Sequence, residues 1–356
     1  MVFVNLAAAG VAHGLKMGFA QLYFRYFLYT NKVSTATMAA DASGWQDIIS
    51  EDLKEVSRIM HEVTRDSNKE VQDVLDYALD SPGKMIRPSM IILVCYACGT
   101  KADENTLKYA AAAELTHMAT LIHDDINDES DSRRGKPATY KKFGVKKALT
   151  TGDMMLVKAM SLFDSNPKLL QSIIDMGSSL ADSEFLQYNH KFDLDIIEQE
   201  YYQVISGKTA AFLSECARTG GIAAKASDEV IEEVARFGQL YGMAFQIADD
   251  LIDLLGTEKV SGKTAMRDLS EGIITLPTIL AMRDVKIGNK IRGMIKKGAP
   301  LEDVRELIVQ TEAVSDCKLI IKDYVDEAID CLEILPDSPY RQSLADLTKL
   351  NLTRLS

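Results

Sequence analysis

Apolar residues recur at helical spacing along most of the chain, as in LIVQTEAVSDCKLIIKDYVDEAIDCLEIL at 307–335. No run of alternating β-branched residues bounded by hairpin turns competes with that pattern. The spacing predicts helices near 46–66, 68–80, 87–98, 104–128, 144–163, 168–191, 194–218, 228–254, 275–284, 287–296, 301–311, 314–333 and 338–352. Joints are expected at Pro82-Gly83, Gly99, Gly135 to Pro137, Gly220-Gly221, Gly262 and Pro336. The expected fold class is all-α, a single domain of packed helices over 45–356.

Composition narrows the function. With 356 residues, 47% of them hydrophobic, the chain can bury a large core. A net charge of −12 argues against a general nucleic-acid binder. An acidic protein that handles an anionic substrate needs metal ions or a local basic cluster. Five cysteines without disulfide-like spacing point to a reducing compartment. Cys95 and Cys98 form a CxxC, but two cysteines cannot complete a zinc site, so they read as core residues of a buried helix.

Residues 1–40 contain no acid; Asp41 is the first. Lys16, Arg25 and Lys32 are the bases, and Ser and Thr appear from Thr30 on. This fits an organelle transit peptide over 1–44, mitochondrial first and plastid second. The other reading is a plain helical extension on a cytoplasmic protein. No stretch of 18 clean apolar residues follows, so no membrane span is expected.

One motif occurs twice. Asp124, Asp125 and Asp128 stand at i, i+1 and i+4, and Asp249, Asp250 and Asp253 repeat the spacing. On a helix, i and i+4 lie on one face. Each set follows an apolar helix, whose C-terminal end carries a negative dipole, so the acids call for a cation there. Hard oxygen ligands suit Mg²⁺, which keeps waters and bridges to phosphates. If the two helices face each other, six carboxylates converge on one cleft.

Basic residues stand at suggestive joints: Lys84 and Arg87 in PGKMIRP, Arg133 and Arg134 after the first acidic set, Lys208 and Thr209 in SGKTA, and Lys263 in SGKTAMRDL. Each alone also reads as a solvated surface charge. No Gly stands five residues before Gly207 or Gly262, so SGKT is not a Walker A loop. His117 lies two turns before Asp124, either as a buried structural histidine or as a hydrogen-bond donor to an anion.

Taken together, GKMIRP, ELTHMATLIHDDINDESDSRRGKP, TTGDMML, EFLQ, ISGKTA, GMAFQIADDLIDLLG, GKTAMRDLSEGIITLP and LPDSPYRQSLADL resemble the trans-isoprenyl diphosphate synthase (polyprenyl synthetase) family over roughly residues 50–356. The resemblance implies helices packed around a deep central cavity, usually in a dimer, here a homodimer or a heteromer. It implies that Asp124, Asp125, Asp128, Asp249, Asp250 and Asp253 bind Mg²⁺, about three ions per loaded site. Arg133, Lys208, Thr209, Gln246 and Lys263 would contact the allylic diphosphate. Lys84, Arg87, His117 and Arg134 would hold isopentenyl diphosphate. Peripheral membrane contact would serve product release. Two departures stand out. Met85 replaces a usual base, and Thr264 and Met266 replace the Pro and Gly of the later motif.

Below Asp124 the helix carries small residues: Thr120, Ala119, Thr116, Ala113 and Ala112. An aromatic at 119 or 120 would floor a product tunnel early. Its absence resembles the long-chain members, of roughly six or more isoprene units at about one unit per 5.4 Å turn, and suggests a quinone side chain. Short-chain farnesyl or geranylgeranyl synthesis is the alternative. A terpene cyclase would carry a different second metal motif. A non-catalytic partner subunit would tend to lose the aspartates. A di-iron bundle needs two Glu-x-x-His pairs, and only Glu114 with His117 qualifies.

Overall fold

The computed structural model describes residues 44–80, 83–163, 166–256 and 266–355. Residues 1–43 of the expected leader, Pro82, Gly262, Lys263 and Thr264 lie outside them. Among the described residues the architecture is helical, with one two-residue ribbon. After a 3₁₀ turn at Asp47–Ile49 come α1 (Ser50–Val63), α2 (Lys69–Leu79), α3 (Ile86–Ala97) and α4 (Glu104–Asn127). Strands β1 (Ser132–Arg133) and β2 (Lys136–Pro137) pair antiparallel around Arg134-Gly135. Next are α5 (Thr139–Phe143), α6 (Val145–Ser161), α7 (Pro167–Asn189) and α8 (Glu198–Ile205). A π-helical turn at Ser206–Ala210 leads into α9 (Ala211–Ala223) and α10 (Asp228–Leu255). The chain ends through α11 (Arg267–Ser270), α12 (Leu276–Ala281), α13 (Gly288–Lys296), α14 (Leu301–Val309), α15 (Ala313–Cys331) and α16 (Pro339–Thr353).

Helices α4 and α10 are the long central elements. Asp103 and Thr106 form a reciprocal capping box at the start of α4, and Ser227 caps α10. Ala110 to Ala113 of α4 are fully buried, because α4 is wrapped by α1, α3 and α6. One core gathers α1, α3, α4, α6 and α9; the other gathers the C-terminal half of α10 with α8 and α12 to α15.

Two boundaries differ from the pattern-based expectation. The helix expected over 194–218 starts at Glu198 and runs on, through the π turn, to Ala223. The glycine joint expected at Gly220-Gly221 is instead the interior of α9. A Cβ on Gly220 would stand 2.5 Å from the Ile91 carbonyl oxygen of α3, so this glycine permits close helix packing rather than a bend. Met85 and Met266, which depart from the family pattern and are among the described residues, adopt left-handed backbone at φ 50° and 62°. Met85 packs against the first core and Met266 is buried in the second, so both serve packing. Left-handed backbone at a bulky residue costs on the order of 1–3 kcal/mol, a strain a glycine would not carry.

Candidate active site

The C-terminal ends of α4 and α10 border one cavity of about 460 Å³. Asp124 of α4, Asp128 at its C-cap, and Asp249, Asp250 and Asp253 of α10 line it, with Arg133, Lys208, Thr209 and Gln246. Five of the six acids of the repeated motif thus border one cavity, and Asp125 does not. It is buried and turned away, accepting from Arg133 Nε at 3.0 Å and pairing with Nη2 of the same guanidinium at 2.5 Å. A residue at i+1 projects about 100° around the helix from its neighbour, and on α4 that direction leads to the Arg133 guanidinium rather than to the cavity.

Each remaining acid has a defined setting. Burial pushes the Asp124 carboxyl up to about 6; Lys208 opposes this, and Glu184 and Asp128 add to it. Burial and Glu271 likewise raise Asp128. Asp250 is buried and accepts from Tyr201 Oη at 2.6 Å and Gln246 Nε2 at 2.9 Å, while Thr209 Oγ1 donates to Gln246 Oε1 at 2.7 Å. Even so, burial, with Asp249 and Asp253 beside it, raises the Asp250 pKa. Asp253 accepts from the backbone N–H of Arg267 and Asp268, both at 3.2 Å. Asp249 pairs with Arg354.

Lys208 and Thr209 lie in the π turn, an irregularity often found where a helix must aim side chains at a site. Lys208 Nζ sits 2.6 Å from Glu184 of α7. Burial pulls its pKa down, but Glu184, Asp124 and Asp128 outweigh that and hold the ammonium charged.

The other proposed bases gather elsewhere. Arg134 borders a second, smaller cavity with Arg133, Asp125 and Lys136. Its guanidinium lies against Gly83, where a Cβ would stand 2.3 Å from Nη2. Arg87 stacks on Phe212, 4.7 Å from the ring centroid, and its Nε is buried without a hydrogen-bond partner. His117 is driven well below its usual pKa by burial, with Arg87 and Arg134 adding to it, so it is a neutral imidazole. Lys84 is exposed at the start of α3 and lines neither cavity. Ala119 is fully buried in the first core, and from this turn of α4 the cavity wall receives Leu121 instead. Thr120 is half-buried, its hydroxyl donating to the His117 carbonyl.

Sequence reasoning missed several groups. Glu184 and Gln187 stand three apart in EFLQ and both reach Lys208, a helical-face signal that was present. Asp268 and Arg267 stood inside a quoted motif; Asp268 is raised well above the usual carboxylate range by burial, with Asp250 adding to it. Glu114 is buried between Arg87 and Arg134, with Oε2 unpartnered. Tyr201 and Arg354 gave no local signal.

Hard oxygen donors on two facing helix ends, with carboxyl pKa values raised by burial, suit a divalent cation. Among the described residues no group of three acids, histidines or cysteines closes on one point as a complete metal cage. A cation here would finish its shell with water and substrate oxygens, which is how Mg²⁺ binds with phosphates.

The polyprenyl synthetase family model matches residues 68–311. The all-trans-nonaprenyl-diphosphate synthase (geranyl-diphosphate specific) of Rhodobacter capsulatus is 34% identical over 87% of this chain and 98% of its own length. The geranylgeranyl diphosphate synthase of Methanosarcina mazei is 32% identical over 78% of this chain and 88% of its own. The crystal structure of polyprenyl synthase from Caulobacter crescentus, complexed with calcium and isoprenyl diphosphate, superposes with a TM-score of 0.84 at 26% identity, covering 90% of this chain and 100% of that one.

The raised Asp124 pKa has a sign. The folded chain holds this proton more tightly than the unfolded chain does. The resulting stabilisation is full below the ordinary value of 3.8 and is lost as pH rises through about 6. Thermal denaturation of the metal-free chain should therefore show a downward slope in Tm over that window. Asp124→Asn should make it shallower, the other raised carboxyls keeping the remainder, and Mg²⁺ should restore Tm above pH 6. A slope unchanged in the variant would contradict the assignment.

Proposed function

Because the chain belongs to the polyprenyl synthetase family and is a trans-prenyltransferase, we propose that it condenses isopentenyl diphosphate onto an allylic diphosphate in this cavity. The observation that carries the reading is two acidic helix ends facing one cavity, with Lys208 and Arg133 on the same wall and Arg134 beside it. Asp124, Asp128, Asp249 and Asp253 would hold Mg²⁺. Bound Mg²⁺ would neutralise charge on the leaving diphosphate. Lys208, Thr209, Gln246 and Arg133 would orient the allylic diphosphate and stabilise the negative charge that grows on it. Arg87, Arg134 and neutral His117 would hold isopentenyl diphosphate, its double bond aimed at the allylic carbon. The C–O bond breaks, the double bond attacks the resulting allylic cation, and a proton leaves, taken up by the released diphosphate. Tyr201 and Gln246 keep Asp250 in place, and Arg133 keeps Asp125 in place, so these two acids shape the site.

We infer a long-chain product, supported by the small residues below Asp124 and by the nonaprenyl-forming relative. The geranylgeranyl-forming relative supports the short-chain reading. Incubation with Mg²⁺, labelled isopentenyl diphosphate and a set of primers, followed by sizing, separates the two. Asp124→Ala or Asp249→Ala should lower turnover by at least about a thousand-fold in a folded protein. Thr120→Phe should shorten the product, and an unchanged chain length would remove this turn of α4 from the tunnel wall.

We infer a homodimer as well. Val145, Leu149, Val157 and Met160 on α6, with Ile174, Phe185 and Tyr188 on α7, are exposed apolar side chains, Val157 at 66% and Phe185 at 73%. Exposed apolar side chains of this kind on two consecutive helices fit a second copy of the same surface. Light scattering should give twice the chain mass, reduced to one by Val157→Asp. A mass needing a different chain would indicate a heteromer. Residues 1–44 we read as a mitochondrial address for a quinone-directed enzyme, to be checked by import of a reporter that carries them; a reporter left in the cytosol would remove it.

A further inference from the structure

Arg354 directly follows α16, and its backbone N–H bonds back to the Leu350 carbonyl at 3.1 Å. Helix α16 is itself fixed by packing on α3, α10 and α15, with Leu344, Leu347 and Asn351 buried. The guanidinium is therefore delivered to its position by a packed element. There its Nη2 pairs with Oδ1 of Asp249, 105 residues away in sequence. The same guanidinium lies over the ring of Phe245, 5.1 Å from the centroid and one turn before Asp249 on α10. Its other terminal nitrogen, Nη1, is buried without a hydrogen-bond partner.

Asp249 lines the main cavity and is the first acid of the second motif. One oxygen of this cavity-lining carboxylate, Oδ1, is thus already occupied by a cation of the same chain. A guanidinium and a divalent ion repel one another, so they compete for that carboxylate. We propose that Arg354 is an internal counter-ion of the second aspartate motif, holding Asp249 in the empty enzyme and leaving its Oδ1 when a divalent cation is loaded. The inference rests on the metal-dependent function proposed above. Two consequences follow from the electrostatics. The free chain is stabilised by Arg354, because one of several crowded carboxylates is neutralised. Its affinity for the divalent ion is lowered by the same contact, since the pair must be broken first.

The two effects have opposite signs, which separates this role from a merely structural one. Mg²⁺ is titrated calorimetrically into the full chain without substrate, and metal-free Tm is measured alongside. Arg354→Gln should bind Mg²⁺ about ten-fold tighter, the scale of releasing a half-buried ion pair, while its metal-free Tm falls. Phe245→Leu removes the platform without touching the ion pair and should shift affinity the same way by about two- to three-fold. That variant also serves if Arg354→Gln does not fold. In the Asp249→Asn background the gain should vanish. Unchanged or weaker Mg²⁺ binding in both single variants overturns the inference, as does a gain that survives loss of Asp249. If the wild-type chain binds no Mg²⁺ even with inorganic diphosphate added, the proposed metal-dependent function falls first and takes this inference with it.

Discussion

Carboxylates crowded at the C-terminal ends of two apolar helices repel each other and the helix dipoles, and everything around the cavity answers that repulsion. Asp124 and Asp128 at the end of α4 face Asp249, Asp250 and Asp253 of α10 across one space. Burial makes the problem worse, raising the pKa of Asp124, Asp128, Asp250 and Asp253 together. Such an arrangement persists only if cations and hydrogen-bond donors are built in, or are supplied by a ligand.

The protein supplies part of the compensation from distant elements. Arg133 of the ribbon neutralises Asp125, Tyr201 of α8 and Gln246 donate to Asp250, and the N–H groups at the start of α11 cap Asp253. Lys208 is charged because Glu184 and the α4 acids hold it so. What remains is an electronegative cavity with fixed donors on its wall. That is the setting in which a metal-bound diphosphate gains most and a leaving diphosphate is best stabilised. The cluster of Arg87 and Arg134 around buried Glu114 beside it has opposite polarity, so the two anionic substrates would meet different surroundings.

Much of this was legible in the residues. The helix class followed from periodicity, because apolar spacing reports the face that must be buried. The two acid sets were legible because i and i+4 geometry is local to one helix. Asp125 was not, since whether an i+1 acid joins its neighbour depends on what the other side of the helix meets; it meets Arg133. Gly220 read as a break because glycine permits turns. Its real constraint is the Ile91 carbonyl on another helix, which no local pattern reveals. Glu114 read only as half of a rejected iron motif, because its arginine neighbours come from α3 and from the ribbon.

By itself, then, the sequence determined the helices, the repeated carboxylate spacing and the chemistry those carboxylates ask for. Each is set by interactions within a few residues. Tertiary structure alone decided which acids face the cavity, which are held by Arg133 or Tyr201, and that Arg354 reaches Asp249 across 105 residues. The physical reason is range. Helix geometry is dictated by neighbouring backbone bonds, whereas the partner of a buried charge is whichever group the packing of the whole fold brings beside it.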